Sequence, residues 1–294
     1  MTAASLPPEA IAPARSRLGG LLRRLSRRRL VTVSLVILLV VFAAALLAPL
    51  LAPYPPQRIS VVNRLKPPSA MFLLGTDEFG RDTLSRVMHG GRLSLSVGLS
   101  VVCVAVLFGT CMGVAAGYWR RLDGTLMRLA DAMMAFPDVL LAIALMAALG
   151  PSAVNVMLAL GVVYIPRVAR VVRGATLVLR EMPFIEAADA LGLSQARIVL
   201  RHILPNLVSP LMVQGTFMFA SAILAEAALS FLGAGVPPAA PTWGNMIAAG
   251  QPFMHRSILL VLAPGLALVL TVMALQTIGD GLRDALDPRL RRLL

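Results

Sequence analysis

Across 294 residues, 58% are hydrophobic and 14% charged, and a mean hydropathy of +0.82 excludes a water-soluble domain of this length. The formal charge of +13 does not indicate a nucleic-acid binder, because the basic residues gather at the ends of apolar runs without interleaved aromatics. The composition implies an all-α integral membrane protein in a lipid bilayer, built as one helical bundle from apolar runs of about 20 residues.

Residues 1–29 are basic, with Arg15, Arg17, Arg23, Arg24, Arg27, Arg28 and Arg29 crowding the approach to the first apolar run, and are expected in the cytoplasm. Residues 30–51 are free of charge for 22 positions, longer than the ~7–15 of a signal-peptide core, and read as a retained anchor. Pro53, Pro55 and Pro56 end it by removing donors and fixing φ. A long extracytoplasmic segment, 52–92, follows. The second span is expected over 93–118, where Gly and Ser let helix backbones approach closely. Cys103 and Cys111 within it read as buried packing residues.

Residues 139–166 carry no charge over 28 positions, enough for one tilted helix. A single span, however, would strand Arg167, Arg170, Arg173, Arg180, Arg197 and Arg201 outside the cell. Splitting the region at Gly150 and Pro151 gives spans near 126–149 and 152–172 and returns those arginines to the cytoplasm. Two more spans are expected near 207–232 and 258–279, so that 93–279 is a five-helix core and 280–294 a cytoplasmic tail. In this map 20 Lys and Arg lie inside and 7 outside, which places both termini in the cytoplasm.

The largest cytoplasmic connection, 173–206, has the residues of two short helices. Pro183 suits a first turn, 184–191 are good helix formers, and Gly192 stands where a left-handed cap belongs. Ser194 can cap a second helix that runs through Ile198 and Leu200 towards Pro205, the entry to the fifth span.

Glu186-Ala187-Ala188, Gly192 and Leu204-Pro205 resemble the EAA loop of ABC importer permeases: EAA, three residues, Gly, nine residues, then I-x-L-P. His202 stands at the Ile position, with Ile203 beside it, a departure similar to the peptide and nickel importer branch. The run from Gly75 through Asp77, Glu78, Phe79, Gly80 and Arg81 to Asp82 also resembles the C-type permease of dipeptide and oligopeptide importers. So do Ser85-Arg86, Gly91-Arg92-Leu93-Ser94-Leu95, Phe231-Leu232-Gly233 and Pro241-Thr242-Trp243-Gly244. The resemblance implies a six-helix type I importer fold in a bacterial plasma (inner) membrane. It implies four kinds of neighbour: a homologous second permease, two cytoplasmic ATPase subunits, an extracytoplasmic binding protein and lipid. Glu186, Ala187, Ala188, Gly192, Leu204 and Pro205 would then couple the chain to the ATPase, with small residues for close docking and Glu186 for a basic or amide partner.

Asp131, Asp138 and Glu226 fall in proposed spans, where a charge is disfavoured by ~3 kcal/mol or more unless it faces the bundle or water. They are expected to point inward, Asp131 beside Arg128 as an interfacial pair, with Asp131 and Glu226 the candidates for the translocation pathway. Asp77, Arg81 and Asp82 read as an ion-paired turn that also offers contact with the binding protein. No cofactor is expected on this chain: its one lysine, Lys66, precedes Pro67 and so cannot serve a Walker A loop, which leaves ATP and Mg to partner subunits. The histidines His89, His202 and His255 form no zinc motif, and no acid/base pair has catalytic spacing. The alternative is an ion- or proton-coupled secondary transporter that titrates Asp131, Asp138 or Glu226, a class that commonly shows internal repeats not evident here.

Overall fold

A computed structural model describes residues 28–286. The basic stretch 15–27 and the tail after Leu286 lie outside the described residues. The described residues open with α1 (Arg29–Leu46), whose last turn passes into a short α2 (Ala48–Leu51) that carries Pro49 in its first turn and ends before Pro53. Residues 52–82 form a compact cap of turns. Next comes α3 (Thr83–Tyr118), 36 residues and therefore about 54 Å long.

This helix starts about ten residues earlier than the hydropathy boundary at 93. Asp82 explains the shift: its carboxylate accepts a hydrogen bond from the Ser85 amide at 2.8 Å, capping a helix that begins in polar surroundings before it enters the apolar layer. Hydropathy marks where lipid begins, whereas the cap marks where the helix begins.

The third span departs from a straight helix. Arg120–Met134 (α4) and Asp138–Leu149 (α5) are bent by 91° across Pro137. Pro137 removes an amide donor, and α4 is charged along one side, so it cannot continue the apolar run of α5. α6 (Ala153–Arg180) runs parallel to α3, its residues 161–176 following 104–117 in register. Among the described residues five helices are long and apolar enough to cross a membrane, and the bent α4–α5 pair, counted as one span, makes six.

After α6 come α7 (Pro183–Ala190), α8 (Gln195–Ile198), a π-helical turn Val199–Ile203 and α9 (Leu204–Phe231). From Gln195 to Phe231 the helix is continuous over 37 residues, so Pro205 does not divide it. The ring of Pro205 would clash with the carbonyl four residues back, and the widened π turn immediately before it supplies the room. The chain ends with α10 (Trp243–Gly250), on the same side as the 52–82 cap, and α11 (Leu259–Leu286). Arg28 pairs with Asp284, holding the start of α1 against the end of α11 on the opposite side.

In lipid there is little solvent exclusion to drive helices together, so close packing must do it. Along α3, Gly109, Gly113 and Gly117 recur every four residues and face α6, where an added Cβ would come within 2.5–2.9 Å of Ile165, Val168, Ala169, Val172 or Thr176. Cys103 and Cys111 are exposed on the outer surface of this helix, correcting their reading as buried residues. The central core joins Val101, Ala105, Leu160, Val168 and Val172 to Ile185, Ala188, Ile198 and Leu207, so the short helices are continuous with the bundle.

Candidate functional site

α7 is a short helix with one face in the core and one face exposed. Pro183 occupies its first turn, and Gly192 ends it at φ +76°. The Gly192 amide donates to the Asp189 carbonyl at 2.8 Å and the Leu193 amide to the Ala188 carbonyl at 3.2 Å, the paired bonds of a Schellman cap. An added Cβ at Gly192 would meet nothing within 4 Å, so conformation alone selects glycine there. Ser194 precedes α8 without a side-chain capping bond.

Around this helix the predicted residues divide. Glu186 and Ala187 are exposed, whereas Ala188 and Ile185 point into the core. Leu204 is half-buried against the core and Pro205 exposed. The surface beside Glu186 carries apolar residues that sequence reading passed over: Phe184, Leu200 and Leu191, the last 80% exposed. A cleft beside α7 is lined by Tyr118, Arg180, Glu186, Asp189 and Gln195. Trp119 Nε1 donates to Gln195 Oε1 at 3.0 Å, and Arg180 donates to the Tyr118 carbonyl at 3.1 Å. The end of α6 and the start of α8, which flank α7, are thereby tied to the end of α3.

The in-membrane acids separate into two kinds. Glu226 is fully buried and accepts hydrogen bonds from Ser94 at 3.1 Å and Ser230 at 2.8 Å. Ser94 Oγ in turn accepts from the Trp243 amide at 3.2 Å, and Trp243 Nε1 donates to the Val87 carbonyl at 3.0 Å, its ring filling the space beside Gly91. Glu226 therefore ties α3, α9 and α10 together and faces no open passage in this conformation. The segments Gly91–Leu95 and Pro241–Gly244, remote in sequence, meet at this knot.

Asp131 behaves differently. It pairs with Arg170 at 2.6 Å, not with Arg128, whose Nε donates to the Gly124 carbonyl at 2.9 Å. Its carboxylate is well exposed within this chain instead of pointing into it. Asp138 pairs with Arg167 at 2.7 Å, and Asp123 with Arg173 through two bonds of 2.5 and 2.7 Å.

On the cap, Asp77 accepts from the Phe79 and Arg81 amides, both at 2.9 Å, and pairs with Arg81 at 2.6 Å and Arg86 at 3.4 Å. Gly75 and Gly80, with φ of +75° and +72°, make the turns. Asp77, Arg81 and Asp82 are all buried, so they shape the cap from within and present little surface to a docking protein. Phe79 beside them is exposed and lies under the Arg81 guanidinium at 4.6 Å. Burial pushes the Glu78 carboxyl above the ordinary carboxylate range. Among the described residues, no group of three or more His, Cys, Asp and Glu could hold a metal ion.

Residues 105–292 match the family model for the binding-protein-dependent transport system inner membrane component, and residues 16–68 that for the N-terminal TM domain of oligopeptide transport permease C. The chain belongs to this permease family. A dipeptide transport system permease protein, DppC, of Alkalihalophilus pseudofirmus is 43% identical over 292 residues, covering 98% of this chain and 95% of its own. A di/tripeptide transport system permease protein, DppC, of Pseudomonas aeruginosa is 44% identical over 264 residues, covering 87% of each. The solved MetNI methionine ABC transporter in an inward-facing conformation shares the fold: the TM-score is 0.50 at 20% identity, over 66% of this chain and 94% of that one. The permease is thus a multi-pass membrane subunit of an ABC importer, and the alternative of an ion- or proton-coupled carrier gives way to it.

Proposed function

We propose that this permease forms one half of the membrane pathway of an ATP-driven importer of short peptides. α7 would be the helix gripped by a cytoplasmic ATPase, so that closure of the ATPase pair on ATP moves the bundle between outward and inward access as rigid bodies. The observation that carries this reading is the construction of α7: exposed Glu186 and Ala187 beside exposed Phe184 and Leu191, on a helix whose inner face is locked into the core. Substrate class follows from the two DppC relatives, whose names specify dipeptides and di/tripeptides.

In this assembly a homologous permease forms the other half, two ATPase chains bind the nucleotide and magnesium, and an extracytoplasmic protein delivers the peptide. Both termini face the cytoplasm with α7, and the 52–82 cap with α10 faces the delivered protein, Phe79 being its exposed aromatic. Asp131 remains a pathway candidate on exposure, and Glu226 a structural knot.

The test is chemical labelling of single cysteines in intact cells and inside-out vesicles. A cysteine at Ala187 should react with a membrane-impermeant thiol reagent only in inside-out vesicles, and ATPase binding should protect it. Ala188 makes a poor reporter because its side chain is buried. Reaction of the Ala187 cysteine from outside intact cells would overturn the orientation and the lever together.

A further inference from the structure

Three arginines on one side of α6 meet three aspartates from the bent α4–α5 span: Arg173 with Asp123, Arg170 with Asp131, and Arg167 with Asp138. Register against α3 gives their depth. Arg173 lies beside Gly117 at the end of α3, whereas Gly109 packs against Ile165 and Val168, the neighbours of Arg167. Six residues of one helix separate the two arginines, so Arg167 lies roughly 9 Å further into the span than Arg173.

The two deeper pairs are looser than the outermost one, Arg170 and Asp131 being 51% and 60% exposed. Arg173 and Asp123 share two hydrogen bonds, but Arg167 gives Asp138 one, from Nη2 to Oδ2 at 2.7 Å. The Arg167 and Asp138 side chains remain 43% and 36% exposed, compared with 32% and 28% for the outermost pair. Charges open to this extent inside a span do not face lipid, where each is disfavoured by about 3 kcal/mol or more; they face water or protein. Arg167 is also held in place, its guanidinium 5.2 Å from the centre of the buried Tyr164 ring. A guanidinium fixed by an aromatic ring, with donors to spare beside a single carboxylate bond, is preorganised to take a second carboxylate.

We propose that Arg167, flanked by Asp138 and Tyr164, is a substrate site in the inner part of the translocation pathway, where it takes the terminal carboxylate of a passing peptide. Asp138 then becomes free to meet the peptide's ammonium group. Because the bonds to Asp138 and to substrate are exchanged, the peptide crosses this level without either protein charge being left bare. The proposal rests on the peptide-importer reading.

The experiment uses the complete importer, with second permease, ATPases and binding protein, and with Cys103→Ser and Cys111→Ser in the permease. Arg167→Cys in inside-out vesicles should react with a membrane-impermeant cationic thiosulfonate, and saturating alanyl dipeptide should slow that reaction about fivefold or more. No reaction in any nucleotide state places the residue against lipid or protein and overturns the proposal; so does reaction indifferent to dipeptide. In parallel, Arg167→Gln should lower dipeptide uptake about tenfold while binding-protein-stimulated ATP hydrolysis stays within about twofold. If uptake and hydrolysis fall together, and the exchange Arg167→Asp with Asp138→Arg restores both, the pair is only a structural lock. Absence of dipeptide uptake by the unsubstituted importer refutes the peptide reading itself, whereas reaction of Arg167→Cys reports the water-facing site independently.

Discussion

At the scale of single residues, the acids in the membrane show how one chemical type serves different ends. Glu226 and Asp131 look alike in sequence, each an acid in a long apolar stretch. The fold buries Glu226 among Ser94, Ser230 and the start of α10, while it leaves Asp131 exposed beside Arg170. Glu226→Gln keeps the size and an acceptor oxygen and should leave the thermal stability of the purified permease close to its original value. Glu226→Leu removes both acceptors from buried Ser94 and Ser230, and an unsatisfied buried polar group costs about 1–3 kcal/mol. The Leu variant should therefore melt several degrees lower in detergent, with Trp243 fluorescence changing first. Equal melting of the two variants would show that the knot contributes nothing.

At the scale of elements, the contact between α3 and α6 sets the spacing of the bundle, and α6 leads directly into α7. Gly113→Leu would drive a side chain to within 2.5 Å of the Ala169 carbonyl and 2.7 Å of Val172 Cβ, atoms that cannot rotate away. Overpacking of this kind costs about 1–3 kcal/mol. The variant should show lower yield of assembled importer by size-exclusion chromatography, and uptake should fall with it, whereas Gly174→Leu, at a position open to solvent or neighbours, should leave assembly intact. The α4–α5 bend belongs to this scale as well. Hydropathy joins its halves into one expected span, 126–149, because it averages over Pro137 and counts residues without direction.

For the whole molecule, the arrangement of ends carries the topology. α1 and α11 meet at the Arg28–Asp284 pair, on the side opposite the 52–82 cap, as an even number of crossings requires. By the proposed reading α7 is a lever that must be driven from outside the chain. Purified permease alone should therefore hydrolyse no ATP above background in a phosphate-release assay, and hydrolysis should appear on addition of the ATPase subunits. Release by the permease alone, scaling with its concentration, would contradict the division of labour.

The number of spans, the break at Gly150, the α7 helix and its Gly192 cap were all determined by the sequence alone. Each depends on local physics: apolar length against bilayer thickness, the φ that only glycine adopts freely, and the donor that proline lacks. The start of α3 at Thr83, the unbroken passage through Pro205, the exposure of Cys103 and Cys111, and the choice of Arg170 over Arg128 for Asp131 were decided only in the folded chain. Those outcomes depend on which surfaces meet across tens of residues, such as Gly117 with Thr176 or Ser94 with Trp243, and periodicity along one helix does not contain its neighbour. A spacing motif could single out the α7 segment, but only packing could show that Ala187 faces outward and Ala188 faces in.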